Sequence, residues 1–284
     1  MLVSLFLVLF ILPIIGSQCT NYCSSIRSKV PLSLRKSGTL TVYQLDGNQP
    51  ISFSNNNTGF GVDLMNKIGQ TLNLKVKFVT IPFSVLISTQ QKQVYSTSIS
   101  FIFNTRERAK RISFVGGLKS GFAFFVRLTS NITISKLTDL CGLTVVIVNG
   151  SAIQVLIKHL YETCPVQKPI KIIAMNGYDE IFMAVSVNKV ADIGITNELR
   201  GTYSVKNFFS KSLKVLPFRY EILESGLTCS RGSPLCCVLT QAMNRLIYDG
   251  IYDKLIRKWD LHQNKLCISL LNRRDFCPCD YPCA

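Results

Sequence analysis

Leu143-Thr-Val-Val-Ile-Val148 is the stretch that most restricts how this 284-residue chain folds. It is a nearly unbroken apolar run, rich in β-branched residues and without period-two alternation. A strand with one wet face would alternate, so this one is predicted to be covered on both faces. Such strands belong to parallel sheets, which need helical crossovers. The flanking sequence supplies one: Asn149-Gly-Ser151 is a tight turn, 152–161 reads as helix, and Ile170-Lys-Ile-Ile-Ala174 as the next strand. A helix over Tyr178–Ser186 and a strand over 191–196 repeat the unit. The first third follows the same plan. Thr39-Leu-Thr-Val-Tyr43 is a strand and Asp46-Gly-Asn-Gln-Pro50 a turn. Residues 63–72 place Leu64, Met65, Ile68 and Leu72 on one helical face, and Leu74-Lys-Val-Lys-Phe-Val79 alternates as a strand. The spacing predicts an extended return over 213–230 and a helix pair over 234–259, broken near Asp249-Gly250. The chain is therefore α/β, twice over.

Composition narrows the function classes. Hydrophobic residues make up 47% and charged residues 17%, a globular balance. Residues 1–15 are apolar apart from Ser4 and Pro13, too short a run for a comfortable span, and Gly16 and Ser17 follow. This reads as a signal peptide over 1–18 and predicts a secreted, extracellular protein. Eleven cysteines fit an oxidising compartment. The sequons at Asn56 and Asn131 are glycosylation candidates; a third, at Asn149, falls beside the predicted turn. A net charge of +16 favours anionic ligands or surfaces, and no nucleic-acid reader motif accompanies it. Enzyme chemistry finds little support. The two histidines, His159 and His262, fall in a helix and near the tail. No nucleophile elbow, phosphate loop or metal-spaced cluster is present, so neither cofactor nor metal is expected.

Four motifs occur in order: Gly59-Phe-Gly-Val-Asp-Leu64, Asn104-Thr-Arg-Glu-Arg-Ala-Lys-Arg-Ile-Ser-Phe114, Val148-Asn-Gly-Ser-Ala152 and Tyr248-Asp-Gly-Ile-Tyr-Asp-Lys-Leu-Ile-Arg-Lys-Trp259. In that order and spacing the chain, from Gly38 to Trp259, resembles the bacterial family 3 extracellular solute-binding proteins. Those are two-lobed clamps for amino acids and similar small polar solutes. Their type II periplasmic-binding-protein-like fold is shared by the ligand-binding domain of ionotropic glutamate receptors. The resemblance implies one lobe from 38–127 and 218–260, a second from 128–217, and hinge crossings near 122–128 and 217–223. Residues 19–37 are then an N-terminal extension and 261–284 a cysteine-rich tail. The cysteine count departs from bacterial members and suggests a eukaryotic secreted protein.

A ligand bearing a carboxylate needs a cationic fork and free backbone N–H donors; an amine needs an acid or carbonyl. The resemblance places the fork at Arg108, within Thr105-Arg-Glu-Arg108. Residues alone also allow an exposed arginine among Arg106, Lys110 and Arg111. Gly150, Ser151 and Ala152 form a strand-to-helix turn, a natural anion site, with plain N-capping by Ser151 the compatible alternative. The family's acid falls at Asn197, with Glu198 beside it as substitute or as a solvated charge. Phe83 would be the apolar wall or simply core, and Ser100 a retained small polar contact. Phe101 and Phe103 replace small residues and threaten to fill the cleft. Cys141 and Cys164 bracket a strand–helix unit and are predicted to pair; Cys229, Cys236 or Cys237 would reach Cys267, as in glutamate-receptor domains. An odd count leaves one thiol free or paired between chains. The chain is thus expected to be a non-enzymatic clamp for a small anionic or amino-acid-like ligand. The alternatives are a sensing module acting through a membrane receptor or protein partner, and a degenerate clamp with a structural role. Glu198 is the only residue that would serve a dehydratase.

Overall fold

A computed structural model describes residues 26–272. The signal segment, Cys19, Cys23 and the cysteines at 277, 279 and 283 lie outside the described residues. After a 3-10 turn at Ile26–Lys29 come α1 (Leu32–Ser37), β1 (Thr39–Leu45), α2 (Phe60–Leu72), β2 (Lys75–Ile81), α3 (Phe83–Lys92), β3 (Ser96–Ser98) and α4 (Arg106–Ala109). The long strand β4 (Ile112–Arg127) leads to β5 (Thr144–Val148), α5 (Ala152–Thr163), β6 (Lys171–Met175), α6 (Tyr178–Ser186), β7 (Ile193–Asn197) and α7 (Glu198–Asn207). A second long strand, β8 (Leu213–Ser230), returns to α8 (Pro234–Tyr248) and α9 (Ile251–Lys258).

The strands form one sheet in the order β2-β1-β3-β8-β4-β7-β5-β6. β1 runs parallel to β2 and β3, and β5 parallel to β6 and β7, as the apolar run predicted. Val145 and Ile147 pack into one core and Val146 and Val148 into another, so β5 is covered on both faces. Those two cores belong to the second half. A separate core joins α2, through Leu64, Met65, Ile68 and Leu72, to α8 and α9 in the first half. Burying each such side chain contributes about 1.5–3 kcal/mol.

β4 and β8 connect the halves. They pair antiparallel from Ile112↔Ser230 to Arg127↔Leu213, with register shifts at Gly116/Leu118, Ser120/Phe122 and Ala123/Phe125. From Phe122 onward β4 also pairs with β7. Gly226 lies against the Val115 carbonyl, where a side chain has no room.

The segments before β1 and after α9 are integrated into the first core. Ile26, Val30 and Leu34 are buried there. Tyr252 Oη donates to the Gly117 carbonyl at 2.8 Å and accepts from Leu266 N–H at 3.1 Å, fastening the segment after α9 to β4. Cys141 pairs with Cys164, 23 residues on, across the β5–α5 unit as expected. The pairing of Cys229 with Cys267 is corrected. Cys229 bonds Cys236, because the short turn from β8 into α8 brings their Cα atoms to 5.9 Å. Cys267 is disulfide-bonded outside that pair.

Candidate ligand-binding site

A cleft of about 60 Å³ lies between the two halves. From the first half it is lined by Asn48, Gln49, Phe83, Ser100, Phe101, Phe103 and Arg108, and from the second by Ser151, Ala152, Tyr178, Thr196, Asn197 and Arg200. That space is smaller than a whole amino acid or dicarboxylate fills, so a ligand of that size requires the halves to stand further apart than in this conformation.

Arg108 is aimed by its own motif. Thr105 caps the short α4 by accepting the Arg108 N–H at 3.4 Å, which turns the guanidinium inward. Nη1 donates to the Phe103 carbonyl at 3.2 Å, and the group sits 5.6 Å from the Phe83 ring. Its neighbours Arg106, Lys110 and Arg111 are exposed. Burial pushes the Arg108 pKa down, the signature of a charge short of solvent and of a counter-ion. Phe83 is both wall and core: it opens α3, faces the cleft and packs beside Leu86.

The start of α5 is open. Ser151 occupies the cap position, yet its hydroxyl makes no cap hydrogen bond and is buried without a partner. The Ser151 N–H is taken by the Val148 carbonyl at 3.2 Å, and the Gly150 N–H by Gln154 Oε1 at 2.7 Å. Gly150 sets the turn through its φ of +71° and does not line the cleft. The available donors are thus the Ser151 hydroxyl and the N–H of Ala152, which as first helical residue has no intrahelical partner. Asn149 is exposed on the same turn, outside the lining.

The start of α7 differs from expectation. Asn197 lines the cleft, but its Oδ1 caps the helix through Leu199 N–H at 2.9 Å and accepts from Ser120 Oγ at 3.3 Å. Glu198 turns away. Its carboxylate is held in a two-pronged ion pair with Arg219 at 2.7 and 2.8 Å and accepts the Gly121 N–H at 3.0 Å. It ties α7 to the crossing strands and does not face the cleft. Ser100 lines the cleft with its hydroxyl engaged by Ser98 at 2.8 Å and its carbonyl by Asn48.

Sequence reasoning missed Arg200 and Tyr178. Arg200, on α7, is only 3% exposed and reaches across the cleft to Gln49 Oε1 at 3.0 Å. It also pairs with Asp179 at 3.1 Å, stacks 4.2 Å over the Tyr178 ring, and keeps a buried Nε without a partner. Burial pushes its pKa down. Thr196 adds a second buried, unpartnered hydroxyl. Phe101 and Phe103 both line the cleft and are otherwise buried in neighbouring cores. Phe101 packs edge-on against Phe60 in the first core, and Phe103 against Phe122 in the second half.

Separate cores in the two halves, two crossing strands and a cleft lined by a guanidinium and an open helix start describe a two-lobed clamp. A sequence profile of the bacterial extracellular solute-binding proteins, family 3, matches residues 40–262. The chain belongs to that family. Solved structures agree with this family 3 assignment. An ancestral arginine-binding protein bound to arginine is similar at 25% identity and a TM-score of 0.70, over 78% of this chain and 98% of that one. An ancestral amino acid-binding protein, a precursor of cyclohexadienyl dehydratase, is similar at 25% identity and 0.69, over 80% and 97%. The GluR0 ligand-binding core from Nostoc punctiforme, in complex with glutamate, shares the fold at 22% identity and 0.65, over 78% and 98%. No curated protein sequence matches the chain. This family 3 member is a ligand-clamping binding protein. Among the described residues, no helix is long and apolar enough to cross a membrane.

Proposed function

We propose that this chain is an exported, non-enzymatic clamp for a small solute bearing a carboxylate. Arg108 would take the carboxylate from one side, and the Ala152 N–H with the Ser151 hydroxyl from the other. Residues 38–127 with 218–260 would form one lobe and 128–217 the other, closing about β4 and β8. The observation that carries this reading is a cleft lined both by a half-buried guanidinium, whose side chain bonds only the Phe103 carbonyl, and by a helix start whose cap hydroxyl bonds nothing. Solved relatives that bind arginine and other amino acids support a small ligand of that kind. Export rests on the segment 1–18 and on the family's extracellular character. Asn56 and Asn131 are both exposed and remain open to glycosylation.

Thermal unfolding of the oxidised protein against amino acids and small carboxylates tests it. A ligand at a hundred times its Kd should stabilise by about 2.7 kcal/mol. That shift should disappear in Arg108→Ala. A shift unchanged in Arg108→Ala, or no shift with any small anion, would contradict the clamp.

A further inference from the structure

The polar groups of the cleft divide by hydrogen-bond sense. Several of its carbonyl acceptors are already engaged: the Ser100 carbonyl by Asn48, the Phe103 carbonyl by Arg108, Gln49 Oε1 by Arg200, and Asn197 Oδ1 by Leu199 and Ser120. Donors are left over: the Nε of Arg200 and the hydroxyls of Ser151 and Thr196 have no partner, and the Arg108 side chain spends only Nη1, on the Phe103 carbonyl. Among the described residues lining the cleft there is no Asp or Glu. The one acid touching Arg200, Asp179, is 81% exposed and spends its charge largely in water. Burial pushes the Tyr178 phenol above its ordinary pKa, so it stays neutral and adds no counter-charge. The cleft therefore holds positive charge at two places and, among the described residues, offers no carboxylate to balance a cation.

We infer that the clamp takes a small dicarboxylate, not a zwitterionic amino acid, with Arg200 as the residue that sets this preference. One carboxylate lies on Arg108 and the start of α5. The other lies on Arg200 Nε and Thr196. An α-ammonium would sit between two guanidinium groups with no carboxylate to balance it. The inference rests on the clamp reading above and specifies its ligand.

Matched ligands test it by calorimetric titration of the wild-type protein: succinate against aspartate, glutarate against glutamate, and succinate against butyrate, with sulfate as an inorganic anion. Each dicarboxylate should bind at least about tenfold tighter than its amino-acid counterpart, whose ammonium is left unbalanced, and succinate about tenfold tighter than butyrate, which lacks the second charge-assisted pair. Arg200→Gln should lower succinate affinity to the level of butyrate and leave butyrate unchanged. Asn197→Asp keeps the cap oxygen and adds an acid, so it should shift preference towards aspartate. The wild-type ranking decides the matter even if a variant folds poorly. Aspartate binding as tightly as succinate, or sulfate outcompeting every dicarboxylate, overturns the inference. If amino acids win and Arg108→Ala abolishes their binding, the clamp stands and only the dicarboxylate preference fails. If nothing binds, both fail.

Discussion

Two helices begin at the same cleft, each directly after a parallel strand, and they use their first turns in opposite ways. At α7, Asn197 closes the end with its own side chain, and Glu198 is committed to Arg219. At α5, Ser151 stands in the corresponding place and leaves its hydroxyl and the Ala152 N–H unused by the fold. Both cap residues are of the preferred types. The difference lies in where the cap oxygen goes. One helix start is structure, and the other is kept for a ligand.

The comparison breaks most easily at Glu198. Glu198→Gln should cost about 2 kcal/mol in denaturant unfolding, because it leaves the half-buried Arg219 guanidinium without its charge partner. No loss would mean that α7 is anchored elsewhere. Ala152→Pro should act on the other helix. Proline is tolerated at a first helical position, and Ser151 is already extended with ψ at 157°, so the fold should persist. The lost N–H should weaken ligand binding by about tenfold, read by titration. The caps themselves follow. Asn197→Ala should lower stability by about 1 kcal/mol, whereas Ser151→Ala should change it by less than about 0.5 kcal/mol and act on binding instead. Equal stability losses in the two would erase the distinction.

The same contrast explains what the sequence made legible. β5 and its crossover helix were readable because a continuous β-branched run has one comfortable environment, covered on both faces. β8 and the break between α8 and α9 were readable from extended patterning and from Asp249-Gly250. α7 was not. Glu-Leu-Arg-Gly-Thr-Tyr-Ser-Val-Lys-Asn carries no apolar stripe, and Gly201 weakens its helical signal. That glycine serves packing: a side chain there would press on Thr196 and Ala123. Arg200 was lost with its helix, although Asn197 followed by an acid in the first turn is a start signal that would have found it. Glu198 looked like an acid for a ligand amine because its partner, Arg219, lies 21 residues away on β8 and meets it only once the crossing strands have assembled. Arg108 was reachable because the threonine that aims it sits three residues before it.

The central claim is that an anion is held between Arg108 and the open start of α5. Amide-resolved NMR during a succinate titration tests it most directly. The Ala152 amide and the Arg108 Nε–H should shift together and saturate at one concentration, while the Leu199 amide, already bonded to its cap, stays in place. Shifts confined to α7, or to the surface lysines Lys206 and Lys258 with Ala152 unmoved, would contradict it.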